Sequence, residues 1–372
     1  MSTHRRDIQQ SSSTGCHKCG VLCLYGCIHV CRLRDAIISK AAFKPPLRPG
    51  YTLDDNGNFV LDAKLWPTRV VSNALSTHGI EARHRFIPGR IGKHISAVLI
   101  QLAGDKASND KSEGRYKNDR ELVVFSHGNS TDIGYMFPAY VNFCRNQRVD
   151  ILAYDYSGYG LSDGEPAEKC LYSDIEHVYK YVRSWLKVKP ELIILYGNSL
   201  GSVPSSYLAS MPEKYPIGGL ILDAPLSSAI RLQVGYVKKT PRFDAFANIE
   251  YLKSKALYPT LVIHGTSDGI IPIEHARDLA FVVEVRHAEL MPEGNYTLQF
   301  DMESSKESCD DSVPVFSRPG IELIKQPEDL LRTWWVPGAG HNNIQLDYPE
   351  AYVRTIEVFF KLCTTWRINR KG

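Results

Sequence analysis

The chain has 372 residues, 43% hydrophobic and 23% charged, with a net charge of +3. That is enough for one large α/β domain or two small ones, and the charge is too small to argue for a nucleic-acid partner. No apolar run approaches the roughly 20 residues of a membrane-spanning helix, and the polar first fifteen residues lack the apolar core of a signal peptide; the expectation is a chain made and kept in the cytosol.

The N-terminal segment differs from the rest. Residues 1–48 carry eight basic and two acidic side chains, against 36 basic and 39 acidic in the remainder. Five of the nine cysteines (Cys16, Cys19, Cys23, Cys27 and Cys31) also fall here, while Cys144, Cys170, Cys309 and Cys363 are scattered. Cytosolic chains do not ordinarily hold a disulfide framework. Cys19, Cys23, Cys27 and Cys31 recur every four residues. On a helix they would share one slowly drifting face beside Val21, Leu22, Leu24, Tyr25, Ile28 and Val30. Acyl chains on those thiols, with basic residues toward anionic headgroups, would anchor the segment to a membrane. One chain alone, at about 0.8 kcal/mol per buried methylene, is marginal, and several plus positive charge are stable. The rival is zinc, since Cys16-His17-Lys18-Cys19 is a C-x-x-C. Structural zinc usually wants two such pairs, and the four-residue rhythm fits it poorly. A plain cysteine-rich tail is the remaining alternative. Pro45-Pro46-Leu47-Arg48-Pro49-Gly50 stops any helix and reads as a linker or lead-in, giving an anchoring segment with linker over 1–50 and a globular domain over 51–372.

Within that domain, residues 81–102 predict a hairpin around Pro88-Gly89-Arg90, and polar residues 104–120 a mobile surface loop. Strands and helices then alternate. The strand candidates are Leu122–Ser126, Ile151–Tyr154, Leu192–Tyr196, Gly219–Asp223, Leu261–His264 and Thr333–Val336. The clearest helices are Lys169–Leu186 and a final one from about Tyr348 to Leu362. Near-continuous apolar strands between helices predict an α/β fold with a mostly parallel sheet covered on both faces. Residues 285–331 are acidic and poor in apolar side chains; they read as a disordered insertion before the last strand, with a functional lid as the alternative.

The chemistry centres on Gly197-Asn198-Ser199-Leu200-Gly201, which follows an apolar strand and precedes helix-compatible sequence. In that context G-x-S-x-G is a nucleophile elbow, whose sharp turn lifts the serine hydroxyl above the sheet and tolerates little bulk beside it. A serine hydroxyl needs an adjacent general base, and the chain order of such sites is serine, acid, histidine. Asp268 ends the turn after the strand at 261–264, and His341 lies in Pro337-Gly338-Ala339-Gly340-His341-Asn342 after the last strand. Asp268 would orient His341 and stabilise its imidazolium. The N–H groups of Leu200 and Asn129, the latter in Ser126-His127-Gly128-Asn129-Ser130, are the expected oxyanion donors. His127 and His264 read as structural. Asp155 precedes the serine and reads as ordering its own loop, with a triad role as the alternative.

These residues carry a family resemblance. The chain resembles the alpha/beta hydrolases, and more closely the alpha/beta-hydrolase-domain-containing 17 family of protein depalmitoylases. The resemblance lies in Phe125–Asn129 with Asp132 and Gly134, Tyr154–Gly160, Ile194–Gly201 with Val203-Pro204, and Phe243–Phe246 with Asn248-Ile249. It continues in His264-Gly265-Thr266 with Asp268, and in Gly338–Asn342. It covers most of the chain from about Lys40, including Lys40-Ala41-Ala42-Phe43-Lys44-Pro45-Pro46, which is like the family's segment after its S-acylated cysteine-rich N-terminus. The elbow has Asn198-Ser199-Leu200 where close relatives have Gln-Ser-Ile, and the 285–331 insertion falls where the family is short. The resemblance implies an alpha/beta-hydrolase fold without a large cap domain, needing no cofactor or metal. It also implies hydrolysis of palmitoyl thioesters on protein cysteines, at the cytosolic face of a plasma or endosomal membrane. An esterase or lipase on small or lipid esters would use the same triad. A non-catalytic, membrane-bound interaction protein is a third reading, against which the intact triad argues.

Overall fold

The computed structural model describes residues 34–66, 75–77, 79–90, 92–102, 120–235, 237–290, 298–300, 321–323 and 330–370. The cysteine cluster, the loop expected over 104–120 except Arg120, and most of 291–329 lie outside them.

In chain order the elements are helix α1 (Arg34–Ala42), strands β1 (Tyr51–Leu53), β2 (Phe59–Leu61), β3 (Ile80–Pro88), β4 (His94–Leu102) and β5 (Leu122–Ser126), and helix α2 (Ile133–Gln147). Next come β6 (Asp150–Tyr154), α3 (Glu168–Ser184), β7 (Ile193–Asn198), α4 (Ser202–Ala209), β8 (Gly219–Asp223), α5 (Ala229–Val234) and α6 (Asn248–Tyr251). The chain continues through β9 (Thr260–Gly265), α7 (Ile273–Leu290), β10 (Leu298–Phe300), β11 (Ile321–Leu323), β12 (Leu331–Val336), α8 (Ile344–Asp347) and α9 (Pro349–Asn369).

Eight strands form one sheet in the order β12-β9-β8-β7-β5-β6-β4-β3. The β3/β4 hairpin and the β4/β6 pair are antiparallel; every pair from β6 through β5, β7, β8 and β9 to β12 is parallel. β5 to β9 are buried almost throughout, as parallel strands covered on both faces must be. Their alternate side chains feed two cores. Val124, Leu195, Leu222 and Val262 pack with α1, α3, α4 and α7; Val123, Phe125, Tyr196, Ile221 and Ile263 pack with α2 and α9. Asp132 caps α2, its Oδ1 accepting from the Gly134 and Tyr135 N–H groups and its Oδ2 from Gly50, so the cap also pins the segment entering β1.

Three sequence boundaries move. Pro45–Gly50 does not stand off from the domain, and neither do the residues from Arg34 before it. They form α1 and a following extended segment packed on the domain, with Ile38, Phe43 and Gly50 buried. The insertion starts later than 285, because α7 runs to Leu290 with Arg286 and His287 buried. Its described parts include an antiparallel pairing of β10 with β11, and β12 opens at Leu331. The last helix also runs further, to Asn369.

Phe359 shows how tightly α9 sits. It is fully buried, and a methyl group on Gly219 of β8 would lie 3.1 Å from its ring and 2.8 Å from the Cys363 Sγ. Phe359→Ala therefore leaves a cavity the sheet cannot close, and urea denaturation should show a loss of about 3–5 kcal/mol.

Candidate active site

The elbow forms as its sequence demands. β7 delivers Asn198 and the next residue, Ser199, turns left-handed at φ 52°. Two glycines make the turn possible. A Cβ on Gly197 would lie 2.5 Å from the Gly201 carbonyl oxygen, and one on Gly201 would lie 1.9 Å from the Ser126 carbonyl oxygen of β5. No side chain fits at either position. The Ser202 hydroxyl donates to the Ser199 carbonyl (2.6 Å), fastening the turn to the start of α4.

The loops after β9 and β12 bring the other two expected residues to this serine. The Ser199 hydroxyl and His341 Nε2 are 2.9 Å apart, and His341 Nδ1 and Asp268 Oδ2 are 2.6 Å apart. This line fixes the tautomer: Nδ1–H donates to the carboxylate, and Nε2 is left to accept the serine proton. Asp268 Oδ1 accepts the Ile270 and Ile271 N–H groups (2.8 and 2.9 Å). Burial alone would raise the Asp268 carboxyl. Hydrogen bonds from His264, His341 and these two N–H groups outweigh it and hold the group far below the ordinary carboxylate value.

His264 is fully buried; its Nε2 donates to the Ile271 carbonyl (2.8 Å) and lies 3.3 Å from Asp268 Oδ2. It braces the acid loop. His127 does the same for the loop after β5: its Nδ1 donates to the Gly128 carbonyl (2.7 Å) and its Nε2 lies 3.2 Å from Asp155 Oδ1. Asp155 also accepts the Ile133 N–H and the Tyr51 hydroxyl, and so ties β6 to β1 and α2 rather than approaching His341.

Asn129 and Leu200 both line the cleft around Ser199. A Cβ on Gly128 would sit 3.9 Å from the Ser199 Cβ, so the loop carrying Asn129 runs directly beside the nucleophile. Three contacts hold the Asn129 side chain. Its Nδ2 donates to the Ala42 carbonyl (2.5 Å), and its Oδ1 accepts from the Lys44 N–H (2.9 Å) and the Tyr159 hydroxyl (2.7 Å).

The cleft has a volume of about 790 Å³. Most of its walls are apolar, with Ile38, Met136, Leu226, Phe246, Ile271 and Ile344 contributing, the character of a site for an apolar small-molecule or acyl group. Among the described residues no three His, Cys, Asp or Glu side chains converge as metal ligands, and no helix is long and apolar enough to cross a membrane.

One group of residues is missing from the sequence reading. Asp223, at the end of β8, also lines the cleft and is paired in register with Asn198. Its Oδ2 accepts from the Tyr196 hydroxyl (2.8 Å) and from Asn198 Nδ2 (3.3 Å). The Tyr196 and Tyr352 hydroxyls are 2.8 Å apart, and Gln345 Nε2 donates to Tyr352 (3.1 Å). Burial keeps both phenols protonated, so the donors run one way: Gln345 to Tyr352 to Tyr196 to Asp223. The chain links α8, which follows His341, to the elbow. Its only sequence signal is a polar-tipped tyrosine inside an apolar strand, which also reads as an ordinary core aromatic.

The chain is similar to known proteins in sequence and in fold. The family model described as "Alpha/beta hydrolase family" matches residues 123–355. The chain is 31% identical over 331 residues to alpha/beta hydrolase domain-containing protein 17B of Homo sapiens, covering 87% of this chain and 91% of that protein. It is 35% identical over 227 residues to alpha/beta hydrolase domain-containing protein 17C of Xenopus tropicalis, covering 61% of this chain and 58% of that protein. A solved esterase of Pyrococcus furiosus shares the fold, with a TM-score of 0.52 at 16% identity over 85% of this chain and 98% of its own.

Tyr352→Phe removes the middle of the buried donor chain, leaving the Gln345 amide and the Tyr196 oxygen short of a partner. Denaturant titration should show a loss of about 1–3 kcal/mol, and the double variant with Gln345→Ala should lose less than the sum of the two single losses.

Proposed function

The chain belongs to the alpha/beta hydrolase family and to its domain-containing 17 group, and we propose that it is a serine hydrolase that removes palmitoyl groups from protein cysteines. The observation that carries this reading is the hydrogen-bonded line from Ser199 through His341 to Asp268 beside a largely apolar cleft of about 790 Å³. An apolar cleft would offer the acyl chain an environment like the one it leaves, and Ser199 on its wall would then face the thioester carbonyl.

In the proposed reaction the Ser199 oxygen attacks the thioester carbonyl and its proton passes to His341 Nε2. Asp268, held ionised, stabilises the imidazolium without taking its proton. The Asn129 and Leu200 N–H groups bind the oxyanion, a contribution ordinarily worth about 10²–10³-fold in rate per donor. As the tetrahedral intermediate collapses, the carbon–sulfur bond breaks and the leaving thiolate takes the proton from His341. The acyl group stays on Ser199 as an ester. Water then gives a proton to His341 and attacks that ester, the proton returns to Ser199, and the fatty acid leaves.

The cysteines outside the described residues complete the proposal. Acyl chains on Cys16, Cys19, Cys23, Cys27 and Cys31, with the basic residues among them, would hold the enzyme at the cytosolic face of a membrane, where acylated substrate proteins also lie.

Two experiments test the proposal. Wild type should cleave a palmitoylated peptide faster than the matched oxyester and label with a fluorophosphonate, and Ser199→Ala should lose both, turnover falling by about 10³-fold or more. Equal labelling of Ser199→Ala would end the catalytic reading; preference for the oxyester would turn it into an esterase. Separately, changing the five cysteines to serine should abolish acyl exchange at the N-terminus and move the protein from membranes to the soluble fraction, and unchanged partition would remove the anchor.

A further inference from the structure

Polar contacts and packing hold both ends of the described part of α1, Arg34–Ala42. At its start Arg34 Nη2 meets Glu168 Oε2 at 2.7 Å and donates to the Asp244 carbonyl (2.7 Å), and its Nε donates to the Phe243 carbonyl (2.9 Å). At its end the Ala42 carbonyl and the Lys44 N–H are both held by the side chain of Asn129. Phe43 is buried edge-on against Phe246, their ring centroids 5.8 Å apart. Between these clamps Ile37, Ile38, Ala41 and Ala42 line the cleft. Their spacing of one and four residues puts them on a single helix face.

We propose that α1 belongs to the substrate site in two ways: its apolar face sets the length of acyl chain the cleft accepts, and its C-terminal latch on Asn129 holds the oxyanion loop in its working position. The acyl-length part rests on the reading of the cleft as an acyl site; the latch does not. The physical reason for the latch is economy of contacts. The Asn129 amide holds the Ala42 carbonyl at the end of α1 and the Lys44 N–H two residues beyond it, with the Tyr159 hydroxyl as a third partner, so losing α1 removes two of these three contacts and loosens the peptide that carries the Asn129 N–H.

The test uses the full chain. Arg34→Ala frees one end of α1, and Asn129→Ala frees the other while keeping the backbone N–H. Each should slow fluorophosphonate labelling of Ser199 by about tenfold, with melting curves showing that the domain remains folded. Because the latch works only while α1 is held at both ends, freeing either end releases it, and the double variant should label within about twofold of the slower single variant. Multiplying losses would overturn the latch. Ala41→Trp should lower the ratio of hexadecanoyl to butanoyl turnover by about tenfold, measured on thioesters and oxyesters alike; in folded protein, an unchanged ratio would remove α1 from the chain-length determinants. The ratio of labelling by long- and short-alkyl fluorophosphonates gives the same readout without turnover. Absence of thioester cleavage by wild type would therefore sink the depalmitoylase reading and still leave both parts of this one decided.

Discussion

One backbone constraint underlies the site: Ser199 is held left-handed at φ 52°. A non-glycine residue in that region ordinarily costs about 1–3 kcal/mol and persists only where its surroundings over-determine it. Here β7 is pinned between β5 and β8, and Gly201 is pressed against the Ser126 carbonyl. Among the described residues four other non-glycine residues have positive φ. Arg148 ends α2 and Lys187 closely follows α3, ordinary places for a left-handed residue. Ala224 and Phe246, at φ 48° and 54°, are different: the first follows the cleft residue Asp223 and the second lines the cleft itself. Strain outside helix ends thus gathers around the substrate space, where a fixed shape matters more than local stability.

The sheet converts that constraint into a complete site. In a parallel sheet the carboxyl ends of the strands share one edge, where ligands of open α/β sheets bind. β5 ends next to the loop of Asn129, β7 at Ser199, β8 at Asp223, β9 before Asp268 and β12 before His341. The register pairs Ser126 with Gly197, Asn198 with Asp223, and Val336 with Gly265. Each loop therefore leaves the sheet at nearly the same height, and residues 142 positions apart, Ser199 and His341, meet within a hydrogen bond.

This regularity is also why so much was legible in the sequence. Gly197 and Gly201 flank Ser199 because no Cβ fits there, and each remaining triad member follows an apolar strand whose pattern is plain. The sites that escaped the sequence depend on contacts between distant segments. Asp223 reads as the polar end of a strand; its link through Tyr196 and Tyr352 to Gln345 joins positions up to 156 apart. Pro45–Gly50 looks like a linker or lead-in because its prolines stop a helix, and nothing local announces that Arg34 before it reaches Glu168 or that Asn129 grips Ala42. The helix boundary at Leu290 was missed for a related reason. The end of α7 carries Arg286 and His287, which fall in the stretch that reads as an acidic, apolar-poor insertion, yet both are buried, with Arg286 lying over the Tyr258 ring.

The two carboxylates at the ends of neighbouring strands show how environment divides labour between identical groups. Asp268 collects the Ile270 and Ile271 N–H groups and the imidazole of His341, with His264 beside it; these overcome burial and keep it charged. Asp223 is given phenol and amide donors on one oxygen, and burial prevails, raising its carboxyl above the ordinary value. Only the first is suited to face a developing imidazolium, because only there does the protein supply enough donors to maintain a negative charge out of water. The second is suited to accept neutral hydrogen bonds and hold the elbow to its neighbour. Chain order alone would allow a histidine to draw on either strand end; the distribution of N–H groups around the two carboxylates decides which one it uses.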